Sequence, residues 1–125
     1  MSEAIKAGVI RIYEEAHNKG NVGILDELVS SDYVRRQPPM KSVKGLDNYK
    51  AFIEDVRSAY SDFAITVDSV LVDGQQSVAQ ITLTGRHTGQ APTLQAPPTG
   101  KAIEMKACAV CTWKDGKIVE EYVYN

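Results

Sequence analysis

The spacing of apolar residues changes once along this chain, and that change most constrains the fold. Up to about residue 60, apolar side chains recur every three or four positions, which is typical of amphipathic helices. Beyond it they alternate with polar ones, which is typical of strands with one buried face. Helices followed by consecutive strands predict an α+β fold, in which a curved antiparallel sheet folds over the helices and leaves an apolar pocket.

The first half of the chain is expected to form helices joined by short breaks. A segment from Tyr33 to Gln37 is predicted to be extended, because Pro38 and Pro39 follow it and the residue before a proline disfavours helix. The predicted helices span about Glu3–Lys19, Val22–Val29 and Leu46–Tyr60.

The second half is expected to form two hairpins. Asp73-Gly74 and Asp115-Gly116 are hairpin turn signals. Between the hairpins, Thr88–Gly100 is rich in proline and glycine and is predicted to be a loop. In the first strand, Phe63 and Leu71 are expected on the same inner face, since they are an even number of residues apart.

The turn before the last strand decides which acidic residue faces inward. A two-residue loop, Asp115–Gly116, would turn Glu120 toward the face that carries Cys111. A three-residue loop that also includes Lys114 shifts the register by one residue and turns Glu121 toward that face instead. We favour the longer loop, because Lys-Asp-Gly suits a type I turn followed by a left-handed glycine.

Three polar side chains are candidates for proton transfer in the pocket. Glu121 is the one acid on the inner face of the last strand, and is either a buried proton shuttle or, if the strand end is solvated, a surface charge. His87 ends an inner-face strand and is either a general base or ligand partner, or a histidine satisfied by backbone. Arg36 is expected to pair with Glu121 or to bind a carboxylate or enolate oxygen. Because Arg35 points the other way in an extended segment, one of the two arginines is a surface charge.

Further residues are expected to contact a ligand in this pocket. The tyrosines offer phenol donors to an apolar cavity, and Trp113 lines or plugs its wide part. Cys111 would be a nucleophile only if its thiolate were stabilised, so an inert buried thiol is expected. The expected ligand-binding residues are Tyr13, Tyr33, Phe52, Ala109, Cys111, Trp113 and Val123.

Charge and hydropathy exclude two classes of partner. The net charge is -2 and no run of basic residues is longer than Arg35-Arg36, so no nucleic acid partner is expected. No apolar stretch approaches the roughly 20 residues that span a bilayer, so no membrane partner is expected either. The first twenty residues lack the apolar block of a signal peptide, which predicts a cytoplasmic protein.

Cysteine and histidine positions favour neither a disulfide nor a metal site. Cys108 and Cys111 lie in one predicted strand and point to opposite faces. His17 and His87 are far apart and have no carboxylate at ligand spacing, so no metal is expected.

Several segments, taken together in their order and spacing, resemble the SnoaL-like polyketide cyclases. The resemblance covers nearly the whole chain and implies one SnoaL-like domain over residues 1–125. It also implies the cone-shaped fold shared with nuclear transport factor 2 and ketosteroid isomerase, a homodimer, and no metal or organic cofactor. The segments are His17–Asn21, Leu25–Val29, Asp32–Val34, Thr82–Gly89, Pro97–Lys101 and Asp115–Tyr122.

The resemblance also implies where the cyclase chemistry would lie. In the cyclases a histidine on the penultimate strand and an aspartate on the last strand move protons in an intramolecular aldol closure. The histidine position falls on Ala109 and the aspartate position on Val123. A further histidine, often found after the Asp-Tyr-Val segment, is replaced by Arg36. The expected function is therefore binding of a small hydrophobic molecule that is polyketide-, terpene- or steroid-like. Any catalysis would be a cofactor-free isomerisation, cyclisation or dehydration, and the alternative is a non-catalytic dimerisation or scaffold domain with a vestigial pocket.

Overall fold

The computed structural model describes residues 2–89 and 100–125, and its helices lie in the first half of the chain, as predicted. The first helix begins as an α-helix and continues as a π-helical segment, and the short second one begins with a 3-10 turn. No helix among the described residues is long and apolar enough to cross a membrane. The elements are α1 (Ser2–Arg11), the π-helical segment (Ile12–Asn18), the 3-10 turn (Val22–Ile24), α2 (Leu25–Leu28) and α3 (Leu46–Ala59).

The strands form one six-stranded sheet in the order β2-β1-β6-β5-β4-β3. All neighbouring strands are antiparallel except β1 and β6, which are parallel. The α+β class is confirmed, and the predicted Thr88–Gly100 loop lies mostly outside the described residues. The strands are β1 (Val29–Arg36), β2 (Val43–Lys44), β3 (Tyr60–Asp73), β4 (Gln76–His87), β5 (Ala102–Lys114) and β6 (Lys117–Tyr124).

The π-helical segment is fastened at its end to both α3 and β3. The Asn18 side chain accepts a hydrogen bond from the Ile65 backbone N–H at 2.7 Å and donates one to the Ile65 carbonyl at 2.9 Å. Arg57 of α3 donates to the carbonyls of His17 and Asn18 at 2.8 and 2.6 Å. The Arg57 bonds satisfy carbonyls that a helix end leaves without partners, and the Asn18 bonds tie that end to β3.

The hairpin between β5 and β6 differs from the prediction. Lys114 pairs with Lys117, so the loop has two residues, and the predicted three-residue loop is wrong. Both loop residues have positive φ, 53° for Asp115 and 79° for Gly116. That pair of conformations is typical of the type I′ turn, whose twist matches the strands it joins.

A bulge in β6 restores the face that the longer loop would have given. Trp113 pairs with Ile118 and Thr112 with Glu120, which leaves one extra residue on β6 between them. From that point Glu121 lies opposite Cys111 and is buried on the inner face, as expected. The predicted face of Glu121 is therefore right, although the predicted loop is wrong.

A second irregularity, in β3, moves one apolar residue outward. The pairing with β4 shifts between Val67 and Ser69, and an extra residue there exchanges the two faces of the strand. Val70 and Val72 pack against the core beyond the shift, while Leu71 is 69% exposed. The expectation that Leu71 faces inward is wrong for this reason.

Candidate functional site

A cavity of about 210 Å³ lies between the inner face of the sheet and the helices. Most of its lining is apolar, so a ligand there would lose its contact with water over most of its surface. The apolar side chains include Phe52, Val56, Phe63, Ile65, Ile81, Leu83 and Val123. The polar ones are Tyr13, His17, Arg35, Gln37, Tyr49, Tyr60, Glu121 and Asn125.

Glu121 is the buried acid of this cavity, with 4% of its surface exposed. The Tyr33 hydroxyl donates a hydrogen bond to Oε1, and the Tyr13 hydroxyl donates a longer one, 3.5 Å, to Oε2. Nε of Arg35 lies 4.0 Å from Oε1, because β1 and β6 pair in parallel with Arg35 opposite Glu121. A carboxylate can be buried in this way only when donors and a cation compensate for the lost water.

Besides Glu121, two further side chains hold Arg35 in place. Its guanidinium lies over the Phe52 ring at 4.5 Å from the ring centroid, and Nη1 donates to Gln37 Oε1 at 2.8 Å. Burial by itself lowers the pKa of Arg35, but the charge of Glu121 and the nearby tyrosines outweigh it and raise that pKa. Arg35 is therefore a fixed cation at the cavity wall.

His17 lies on the π-helical segment and is uncharged at neutral pH. Burial, then the charges of Arg35 and Arg57, lower its pKa from 6.5 to about 3. Nε2 is 2.9 Å from the Tyr49 hydroxyl, and the ring is 5.1 Å from that of Tyr13. The neutral imidazole can donate or accept a hydrogen bond but adds no charge to the cavity.

Three tyrosines connect His17 with Glu121. The rings of Tyr33 and Tyr49 stack with centroids 4.5 Å apart. Burial, followed by the charge of Glu121, raises the pKa of Tyr13, Tyr33 and Tyr49 well above the ordinary value. All three therefore stay protonated, and their hydroxyls remain available as donors.

A family model describing SnoaL-like polyketide cyclases matches residues 7–124. The chain belongs to this family. No curated protein sequence matches the chain.

Solved structures share the fold of this SnoaL-like chain at low sequence identity. A SnoaL-like protein from Jannaschia sp. CCS1 is 22% identical with a TM-score of 0.85, over 98% of this chain and 85% of that one. TsrD from Streptomyces laurentii is 21% identical with a TM-score of 0.83, over 98% of this chain and 87% of TsrD. A protein with a ketosteroid isomerase-like fold from Catenulispora acidiphila is 13% identical with a TM-score of 0.76, over 94% and 84%. The predicted family and cone-shaped fold are therefore confirmed.

Arg36 of this SnoaL-like protein does not meet Glu121. It pairs with Glu120 outside the cavity, where the two side chains are 36% and 40% exposed, and its guanidinium lies 5.5 Å from the Tyr122 ring centroid. The expected Arg36–Glu121 pairing is wrong, and Arg35 takes that position. The sequence carried a signal for this, because Arg35 is two residues from the inward-facing Tyr33 in an extended segment.

His87 is buried at the end of β4 but is not among the residues that line the cavity. Its ring lies 5.1 Å from the Tyr60 ring, and its backbone N–H donates to the Lys101 carbonyl at 3.0 Å. Nε2 has no hydrogen-bond partner among the residues that the structure describes. The histidine that lies in the cavity is His17, whose four-residue spacing from Tyr13 was a helical signal for a shared face.

The expected ligand-binding residues divide into two groups. Tyr13, Phe52 and Val123 line the cavity. The others, Tyr33, Ala109, Cys111 and Trp113, are buried but do not line it, although the Tyr33 hydroxyl reaches Glu121.

Trp113 and Cys111 belong to the hydrophobic core, so the expectation that Trp113 lines or plugs the cavity is wrong. Trp113 Nε1 donates to Ser77 Oγ at 2.9 Å, and a methyl group added at Gly8 would lie 3.0 Å from the indole ring. Burial, then the charge of Glu121, raises the pKa of the Cys111 thiol well above its ordinary value. Cys111 therefore lacks the thiolate that a nucleophile would need.

Proposed function

We propose that this SnoaL-like protein binds a small, largely apolar ring compound that carries a carbonyl oxygen, and that it moves a proton on the carbon beside that carbonyl without a cofactor. The observation that carries the proposal is the Glu121 carboxylate, buried in an apolar cavity beside Arg35 and Tyr13. An apolar pocket with a few convergent polar groups is characteristic of binding and catalytic sites.

The cavity volume limits the size of the ligand. An apolar cavity of about 150 Å³ in another protein holds a benzene molecule. The 210 Å³ here suits one substituted ring or two fused rings, with larger groups left outside. A polyketide-, terpene- or steroid-like ligand would therefore insert one end.

The proposed chemistry divides the work between a base and two donors. Glu121 accepts the proton from the carbon beside the carbonyl, and returns it to the same or another atom of the ligand. The carbonyl becomes an enolate, whose oxygen the guanidinium of Arg35 and the hydroxyl of Tyr13 can stabilise. These roles replace those expected of His87 and Arg36, which lie outside the cavity lining.

Proton exchange in heavy water tests the proposal without knowledge of the natural substrate. The test measures by NMR how fast the protons beside the carbonyl of 2-tetralone are replaced by deuterium. Wild type should accelerate the exchange, and Glu121→Gln should lower that rate by about a hundredfold or more, as loss of a general base does. Glu120→Gln, with the same chemical change outside the cavity, should exchange like wild type. Equal rates for wild type and Glu121→Gln would contradict the catalytic role.

A second candidate function is a non-catalytic dimerisation or scaffold domain. It is favoured by Ala109 and Val123, which stand where the resemblance places the cyclase histidine and aspartate. Thermal unfolding in excess ring ketone separates the two, because a ligand that binds the folded state raises Tm. No shift with any ketone, together with no accelerated exchange, would favour the scaffold.

A further inference from the structure

We infer that the Arg35–Glu121 ion pair makes the cavity selective for uncharged ligands, so that it rejects carboxylates and ammonium ions of the same size. This inference rests on the proposed function, since it takes the cavity as the ligand site, and it names the charge class of the ligand. Three observations carry it: the net charge of the lining side chains, the partners that Arg35 and Glu121 already have inside the protein, and the apolar character of the remaining lining.

The charges of the lining side chains add up to zero. Among the described side chains that line the cavity, the guanidinium of Arg35 and the carboxylate of Glu121 form the one ion pair. The remaining polar ones are amides, phenols and an imidazole. His17, the imidazole, stays neutral because burial lowers its pKa to about 3.

Each charge of the pair already has its compensation inside the protein. Glu121 accepts hydrogen bonds from the hydroxyls of Tyr33 and Tyr13, and its Oε1 lies 4.0 Å from Nε of Arg35. Arg35 lies on the Phe52 ring and donates to Gln37. Neither group needs a counterion from a ligand.

A charged ligand would add a third charge to an apolar space. A carboxylate would be attracted by Arg35 but repelled by Glu121 beside it. An ammonium ion would be attracted by Glu121 but repelled by Arg35. A buried ion without its own partner carries a large desolvation penalty. A neutral carbonyl loses far less than an ion on leaving water, and it needs one donor, which the Arg35 guanidinium supplies.

Removal of one member of the pair should invert the preference. Glu121→Gln leaves the Arg35 cation without its carboxylate, so an anionic ligand would then complete a pair. Arg35→Gln leaves Glu121 without its cation, so a cationic ligand would be favoured. The double variant Arg35→Gln/Glu121→Gln has no charge on either side chain and should prefer the neutral ligand again.

Three naphthalene probes of nearly equal shape measure the preference. They are 2-acetonaphthone, which is neutral, 2-naphthoate and 2-naphthylmethylammonium, and their Kd values are measured at neutral pH. Wild type should bind the ketone about tenfold or more tightly than either ion. In Glu121→Gln, naphthoate should be the tightest-binding of the three probes. In Arg35→Gln it should be the ammonium ion, and in the double variant the ketone.

The neighbouring surface pair provides matched controls. Arg36→Gln and Glu120→Gln make the same charge changes one residue along each strand, outside the cavity, and should keep the wild-type order of affinities. The order is compared within each variant, so a partly unfolded sample does not change it. If one single variant does not fold, the other must still invert the order.

The outcomes separate this inference from the proposed function. Equal Kd values of the three probes for wild type, or an order that neither single variant changes, would overturn the charge selectivity and leave the binding function standing. Failure of wild type to bind any of the three would overturn the proposed function, and the inference with it.

Discussion

Burial of the Glu121 carboxylate is tolerable because the side chains around it replace water. The Tyr33 hydroxyl donates to Oε1, the Tyr13 hydroxyl lies 3.5 Å from Oε2, and Arg35 supplies a positive charge at 4.0 Å. Loss of one partner of a buried charge lowers the free energy of unfolding more than loss of an exposed pair does, since water cannot replace the lost partner. At the scale of single residues, stability and the proposed activity therefore depend on the same side chains.

Tyr33→Phe should lower the free energy of unfolding by about 1–3 kcal/mol, because it leaves one oxygen of the buried Glu121 without its donor. Urea denaturation measures the change. The control is Tyr124→Phe, which removes a hydroxyl from a residue that is 57% exposed and should stay within about 0.5 kcal/mol of wild type. Equal stabilities of the two variants would contradict the role given to the Tyr33 hydroxyl.

The low pKa of His17 gives stability a pH dependence of known sign. The folded pKa of about 3 lies below the ordinary 6.5, so between these values the unfolded chain binds a proton that the folded chain does not. Stability is therefore fully present above about pH 6.5 and falls as the pH is lowered toward 3.

His17→Gln removes this proton uptake and keeps a polar partner for Tyr49. Between pH 7.5 and 5.5, wild type should lose about 1 kcal/mol more than the variant does. Urea denaturation at the two pH values gives the difference. The same loss in both proteins would show that His17 is not held neutral by the fold.

At the scale of elements, the β5–β6 hairpin and its bulge act together to set the inner face of β6. The type I′ turn alone would have turned Glu120 inward. The extra residue after Ile118 shifts the register and places Glu121 opposite Cys111. The turn and the bulge together thus decide which carboxylate enters the cavity.

Gly116→Ala should destabilise the protein by about 1 kcal/mol, because its φ of 79° is unfavourable for a residue with a Cβ. Thermal or urea unfolding reports the change. The control is Gly23→Ala in the exposed 3-10 turn, where φ is not in the left-handed region and an added methyl group has open space. Gly23→Ala should be neutral or slightly stabilising, and an equal loss at both positions would contradict the turn argument.

At the scale of the whole molecule, we expect the outer face of the sheet to pair with a second copy of the chain. It carries exposed apolar groups at Leu71 and Tyr124, and the family resemblance implies a homodimer. We expect light scattering after size exclusion to give twice the mass of one chain at micromolar concentration. A strict monomer over that range would contradict the expected dimer.

The sequence by itself determined the order of the elements and the family, because helix and strand periodicity are local properties of the chain. It also predicted the inner face for Glu121, but through a turn that the structure does not have, and it left the burial of Glu121 open. The parallel pairing of β1 with β6 then decided that Arg35, and not Arg36, meets Glu121. Packing of the π-helical segment against α3 and β3 brought His17 into the cavity. His87 lies against the Tyr60 ring and does not line the cavity. These outcomes depend on which distant segments become neighbours. The spacing of Arg35 from Tyr33 and of His17 from Tyr13 indicates a shared face, but it does not say which distant residues that face meets. Only the tertiary structure could decide them.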